Sequence, residues 1–231
     1  MFDADIISFA LASRRNLLFV DEAEALLKAA GIPVTSCRVA AAEDETVQAA
    51  QEIGFPVVLK VRSQAIAHKT DAGGVRLGLN DEGAVRLAYR GIMEKARLLD
   101  RGAQVTVQPM AQPGVELLVG MTTDPHFGRV VAFGLGGIFV EVLDDIAFRL
   151  VPLLDQDAID MINSIKGSIL LQGYRGAAPV DITALKEVIL RVSRLAEDEP
   201  RIKEIDLNPL FAYPQGALAV DPRIIIQAGI A

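Results

Sequence analysis

The chain has 231 residues, 51% of them hydrophobic, with 23 basic against 30 acidic side chains and one cysteine. That length buries enough surface to fold without disulfides or a structural metal, in one or two domains, and Cys37 has no partner for a disulfide or a cysteine-based zinc site. A reducing, cytoplasmic setting is expected, and the net charge of −7 excludes a dominant nucleic-acid footprint while leaving small anions open.

The start, Met1-Phe-Asp-Ala-Asp-Ile, is acidic where a signal peptide is basic, and no run approaches the roughly 20 apolar residues that span a bilayer. Neither targeting nor membrane insertion is expected, so the mean hydropathy of +0.33 reflects a rich core. Asp21 and Glu24 have capping-box spacing, and Ala23, Leu26, Leu27 and Ala30 fall on one helical face before Gly31. Glu43 to Ile53 repeats that logic up to Gly54, and Val57 to Val61 then forms a strand. A second unit follows, with Val75 to Leu79 as strand, Asp81 as cap and a helix through Val85, Ala88, Ile92, Ala96 and Leu99. From Gln104 strands come in quick succession (104–108, 115–121, 129–133), punctuated by Pro109, Pro113-Gly114 and Asp124-Pro125, which predicts antiparallel meanders. Ile138 to Leu143 is strand-like, 157–165 and 182–195 are helical, and 202–207 and 217–220 are short strands. Helices and strands alternate first and cluster later, which makes the class α+β with two lobes, 1–103 and 104–231.

Five constellations could carry chemistry. Lys60, inside an apolar strand, must either reach water or meet an anion, because a buried unpaired ammonium is costly. The run His68-Lys69-Thr70-Asp71-Ala72-Gly73-Gly74 joins an imidazole able to act as nucleophile to two glycines whose N–H groups could approach an anion. The other histidine, His126, reads as turn chemistry. Gly134-Leu135-Gly136-Gly137 lacks dinucleotide or Walker spacing, but Glu141, Asp144, Asp145 and Arg149 follow it, so a phosphate site or an interface stands beside a simple chain reversal. Strand alternation puts Asp206 and Asn208 on one side, with Asp221 brought alongside by a short hairpin; oxygen donors without His or Cys suit Mg²⁺. Finally, Gln108-Pro109-Met110 followed by Glu116 could offer backbone groups to a purine and a carboxylate to a ribose.

Taken in order, these features resemble the ATP-grasp domain of nucleoside-diphosphate-forming acyl-CoA synthetases. The resemblance runs through Glu22 to Leu27, Phe55 to Lys60, His68 to Val75, Val107 to Met110, Gly114-Val115-Glu116, Phe133 to Val142 and Glu204 to Leu210. It implies an ATP-grasp fold of two α/β lobes with nucleotide bound between them. Lys60, Gly73, Gly74, Gln108, Met110 and Glu116 would serve the nucleotide, Asp206, Asn208 and Asp221 would hold Mg²⁺, and Gly134, Gly136, Gly137, Glu141 and Arg149 would line a phosphate site or interface. His68 would accept a phosphoryl group from a phosphohistidine on a CoA-binding α subunit and relay it to ADP, in an α2β2 assembly. The chain has no CoA-binding unit of its own, so it would be half of an enzyme. Two other readings remain: a carboxylate–amine ligase, which has no need of His68, and a nucleotide-binding regulatory subunit without turnover, which the intact Lys60, His68 and Asp206 argue against.

Overall fold

The computed structural model describes residues 4–66, 69, 72–137 and 145–228. They form two compact units, one built from Phe19–Glu24 and Thr35–Gln112, the other from Met1–Leu18, Ala25–Val34 and Pro113–Ala231. The helix α1 (Ala4–Ala12) belongs to the second, and α2 (Val20–Ala29) has its first turns in the first unit and its last in the second. No described helix is long and apolar enough to cross a membrane.

The smaller unit contains β1 (Arg38–Ala40), α3 (Glu43–Ile53), β2 (Val57–Arg62), β3 (Val75–Leu79), α4 (Glu82–Leu99) and β4 (Gln104–Pro109). Its strands lie in the order β1-β4-β2-β3, every pair antiparallel. Period-two alternation sorts the side chains. Val57, Leu59 and Val61 of β2 and Val105 and Val107 of β4 join Val47 and Ala50 of α3 and Val85, Ala88, Ile92 and Ala96 of α4 in one core. Each fully buried aliphatic side chain contributes roughly 1.5–3 kcal/mol, so this face fixes the register. The alternate positions carry polar groups: Lys60 and Arg62 on β2, opposite Thr106 and Gln104 on β4. Asp81 caps α4 as expected, its Oδ1 accepting from the Ala84 N–H at 2.8 Å.

The larger unit contains β5 (Val115–Asp124), β6 (Gly128–Leu135), β7 (Ile146–Leu150), α5 (Asp155–Ser164), α6 (Ser168–Leu171), α7 (Ile182–Asp198), β8 (Ile202–Ala212), β9 (Ala217–Ala219) and β10 (Pro222–Ile226). Its six-stranded sheet runs β10-β8-β5-β6-β7, with β9 added beside β8. Leu117, Val119, Met121, Val131 and Phe133 are buried on β5 and β6, and α7 packs on both strands through an apolar face that includes Leu185, Val188, Ile189 and Val192. The β5–β6 connection is a tight turn in which the Asp124 carboxylate accepts from the N–H groups of His126 (2.7 Å) and Phe127 (2.9 Å), so His126 sits in turn chemistry.

Two sequence expectations are corrected. The strand at 104 does not open a second lobe. Its six residues pair one for one with β2, a ladder that outweighs the compositional change at that point, and the chain passes between units at Gln112/Pro113. Likewise, the start of α2 is not a box of Asp21 and Glu24. Glu22 reaches back to the Phe19 N–H at 2.8 Å, while Asp21 forks onto Arg62 (2.7 and 3.0 Å) and Glu24 accepts the Cys37 N–H at 2.6 Å. The two carboxylates are taken by tertiary partners, one of them a bidentate arginine.

Candidate functional site

In the larger unit the site is built on β8. Ile205 and Leu207 point into the core, which turns Glu204, Asp206 and Asn208 to the other face. Asp206 lies opposite Gly120 of β5 on one side and Arg223 of β10 on the other. The last β8–β10 pair is Leu207 with Pro222, and the Val220 N–H donates to the Pro209 carbonyl, so Asp221 comes alongside Asn208. The three residues proposed from sequence are therefore brought together. Arg223 and Glu204, which sequence reasoning passed over, flank them and pair at 3.3 Å. The same alternation that selected Asp206 and Asn208 extends back to Glu204 and could have found it.

Electrostatics fit a cation at this place. Burial pushes the Asp206 carboxyl up to about 6, with Glu204 and, more weakly, Asp221 adding to the rise and Arg223 opposing it. Crowded carboxylates of this kind are relieved by a divalent ion. Among the described residues no three His, Cys, Asp or Glu side chains gather as a metal cluster. Two carboxylates and one amide leave positions for phosphate oxygens and water, which is how Mg²⁺ is usually held beside a nucleotide. Glu116, on β5 opposite Phe211, has its carboxylate against Gly137, where a Cβ would fall on Oε2. Gly137 has φ +62, a backbone conformation that favours glycine, while the Glu116 side chain could swing away from an added Cβ.

In the smaller unit Lys60 is 5% exposed and in mid-strand, between Val75 of β3 and Thr106 of β4. The reading of a strand-end lysine reaching water does not hold. Its charge acts on the half-buried Cys37, whose thiol burial and Glu24 push strongly up and Lys60 pulls partly back. Gln108 is buried opposite Val58, and Met110 is half-exposed with its N–H donating to the Pro56 carbonyl at 3.0 Å. That N–H is therefore committed within the unit and not presented to a purine. The Gly74 N–H is committed as well, to the Lys69 carbonyl at 2.7 Å, while the Gly74 carbonyl accepts from Val61 at 2.7 Å. A Cβ on Gly74 would stand 2.4 Å from Val61 Cγ1, so this glycine closes the loop onto β2. His68, Thr70 and Asp71 lie outside the described residues, as do Glu141 and Asp144 and the strand-like run 138–143.

The glycine-rich segment does not begin after a strand, as its sequence implied. Gly134 lies within β6, opposite Ile146, and a Cβ there would meet the Asp145 carbonyl at 2.6 Å. Gly136 donates to the Glu116 carbonyl at 2.8 Å and abuts the Leu117 backbone. Both glycines allow close approach of neighbouring strands. Asp145 is buried and accepts from the N–H groups of Lys166 and Gly167, each at 2.7 Å, while Arg149 is exposed on the edge strand β7.

Residues 9–226 match the ATP-grasp domain family, and the chain belongs to it. It is 47% identical over 225 residues, 96% of this chain and 97% of the other, to the beta subunit of ADP-forming acetate–CoA ligase I of Pyrococcus furiosus. It is 42% identical over 91% of its length to ADP-forming acetate–CoA ligase II of Archaeoglobus fulgidus, but spans only 30% of that longer chain. Its fold superposes at TM-score 0.92 and 46% identity on the acetyl-coenzyme A synthetase 1 of Candidatus Korarchaeum cryptofilum in complex with coenzyme A, Ca-AMPCP and HgCl⁺, covering 96% of this chain and 99% of that one. A second structure of that protein holds coenzyme A and Mg-AMPPCP, with its phosphohistidine segment pointing towards the nucleotide-binding site, and matches with TM-score 0.86 at 45% identity over the same shares. The α+β class and the ATP-grasp fold expected from the resemblance are borne out.

Proposed function

We propose that this chain is the nucleotide-binding β subunit of an ADP-forming acyl-CoA synthetase, catalysing with a CoA-binding α subunit the interconversion of acyl-CoA, ADP and phosphate with acid, CoA and ATP. The observation that carries the reading is end-to-end similarity to a protein named as the beta subunit of such a ligase, 97% of which this chain spans. A divalent ion supplies charge neutralisation on the phosphate chain when bound, and Asp206, Asn208 and Asp221 would hold it. Lys60 would meet phosphate oxygens, Gln108 and the Met110 side chain the base, and Glu116 the nucleoside. Gly73 and Gly74 precede β3 beyond the His68 segment, and Gly134 and Gly136 set the strand spacing beside Glu116 and Gly137; Arg149, exposed on β7 with its guanidinium donating to the Phe148 carbonyl, would meet the partner. An α2β2 assembly and a cytoplasmic location, suited to a lone shielded thiol, belong to the same proposal.

His68 is the phosphoryl carrier in this reading. A phosphohistidine of the partner passes its phosphoryl group to the His68 imidazole, and the P–N bond then breaks as an ADP β-phosphate oxygen forms the new P–O bond of ATP. The test is His68→Asn in the reconstituted complex. ADP-dependent ATP formation from acyl-CoA and phosphate should fall at least about 1,000-fold with nucleotide affinity kept, as expected when a covalent carrier is lost. Unchanged synthesis would leave the relay untenable and favour a ligase that works through an acyl phosphate.

A further inference from the structure

We propose that Arg223 makes the Asp206 site selective for a metal–nucleotide complex over the bare divalent ion, by standing as a fixed counter-charge among its carboxylates. The proposal rests on the reading that Asp206, Asn208 and Asp221 hold the ion. Pro222, Ile224 and Ile226 are buried, which turns Arg223 to the other face of β10. There it lies directly across the β8–β10 ladder from Asp206, and it reaches diagonally to Glu204, Nη1 to Oε1 at 3.3 Å. Beyond burial, the charges of Glu204, Arg223 and Asp221 are all felt at the Asp206 carboxyl, the acids raising it and the guanidinium lowering it. The four groups share one electrostatic neighbourhood, and a cation already stands in it.

The pair differs from the arginine pairs that build the fold. Arg62 forks onto both oxygens of Asp21 (2.7 and 3.0 Å) and Arg201 onto both of Glu199 (2.8 and 2.6 Å), from side chains 19% and 25% exposed. Among the described residues Arg223 makes a single, longer contact, from a side chain 48% exposed. Most of its planar fork is therefore available to an oxyanion, the geometry to which a guanidinium is best matched. Against a bare divalent ion, the pull of the three carboxylates is cut by this guanidinium. Towards an ion that carries a nucleotide, Arg223 attracts the phosphate oxygens that complete the coordination shell. One fixed charge thus acts with opposite sign on the two ligands, so the site fills with ion and phosphate chain together and is not saturated by free cation. Half-exposed charges are screened by water and salt, which sets the effect on each ligand on the order of 3–10-fold.

The test compares two titrations of the full chain. Bare Mn²⁺, a visible stand-in for Mg²⁺, is followed by electron paramagnetic resonance, and preformed Mn-AMPPCP by calorimetry. Arg223→Gln should tighten the bare ion about 3–10-fold and weaken Mn-AMPPCP by a similar factor. Glu204→Gln removes an acid and releases the guanidinium, so it should shift both affinities the other way. The double variant Glu204→Gln/Arg223→Gln restores the net charge and should return their ratio to within about twofold of wild type, and Arg223→Lys should keep that ratio. Every shift should shrink in about 0.5 M KCl. Damage to the fold lowers both affinities together, so the opposed signs separate charge from structure. An unchanged ratio in Arg223→Gln, or a fall in both affinities in Arg223→Gln and Glu204→Gln alike, would overturn the proposal. Binding of both ligands that survives Asp206→Asn unaltered would instead overturn the metal-site reading beneath it.

Discussion

Asp206 illustrates a conflict between function and stability at a single side chain. Its carboxyl is raised from 3.8 to about 6, first by burial and then by Glu204. The folded protein therefore binds the proton more tightly than the unfolded chain does. The penalty for ionising it is absent below about pH 3.8, grows between there and about 6, and is constant above. Asp206→Asn should stabilise the metal-free protein by about 1–2 kcal/mol at pH 7.5, after allowance for the solvent that reaches this half-buried group. The gain in Tm should vanish near pH 4, and Mg-dependent nucleotide turnover should be lost. Melting curves at the two pH values with and without EDTA check both the sign and the independence from metal. Gly74 makes the opposite point. Gly74→Ala drives a methyl to 2.4 Å from Val61 Cγ1 and should lower stability by about 1–3 kcal/mol. Gly91→Ala, on α4 with nothing within 4 Å, should raise it by about 0.5–1 kcal/mol. Urea titrations of the two variants separate backbone need from mere glycine content.

Between elements, α3 and α4 are tied by several carboxylates, with Glu43 shared between Arg86 and Arg90 and Asp44 also on Arg86. Hydrogen bonds from Arg90 first and Arg86 second hold the Glu43 carboxyl down at about 2, below its ordinary 4.5. A depressed acid contributes stability that is complete above about 4.5 and is lost as pH falls towards 2. Glu43→Gln should therefore flatten the pH dependence of stability between those values and leave it unaltered near neutrality, as followed by circular dichroism in acid titrations. The pairing of α3 with α4 was open to sequence reasoning only in part. Acidic residues at the start of α3 and the arginines of α4 are visible as helix-end and surface charges, but that Arg86 and Arg90 share Glu43 follows from how the helices pack on the sheet.

For the whole molecule, the prediction concerns what one chain can do. It matches a separate beta subunit over nearly its full length, yet spans 30% of the single-chain relative. Alone it should bind Mg-ATP and show no acyl-CoA turnover above background. Mixed with a CoA-binding α subunit it should gain full turnover and run as a particle of four subunits in mass photometry. Full turnover by the isolated chain, or a partner-bound particle without turnover, would count against the β-subunit reading, the latter in favour of a regulatory role.

The alternation of apolar and polar residues, the glycine punctuation and the cap at Asp81 were legible because they depend on near neighbours in the chain. So were the pairing of Asp206 with Asn208 on one face and the turn at His126. Long-range pairing was not. Only the tertiary structure assigned β4 to β2, gave Asp21 to Arg62, committed the N–H groups of Met110 and Gly74, and delivered Asp100 to Ser63 across a separation of 37 residues. The physical reason is that a strand offers its edge, and a carboxylate its oxygens, to any donor that packing brings near. Local sequence declares which groups are available, and burial of the shared core decides which of them meet.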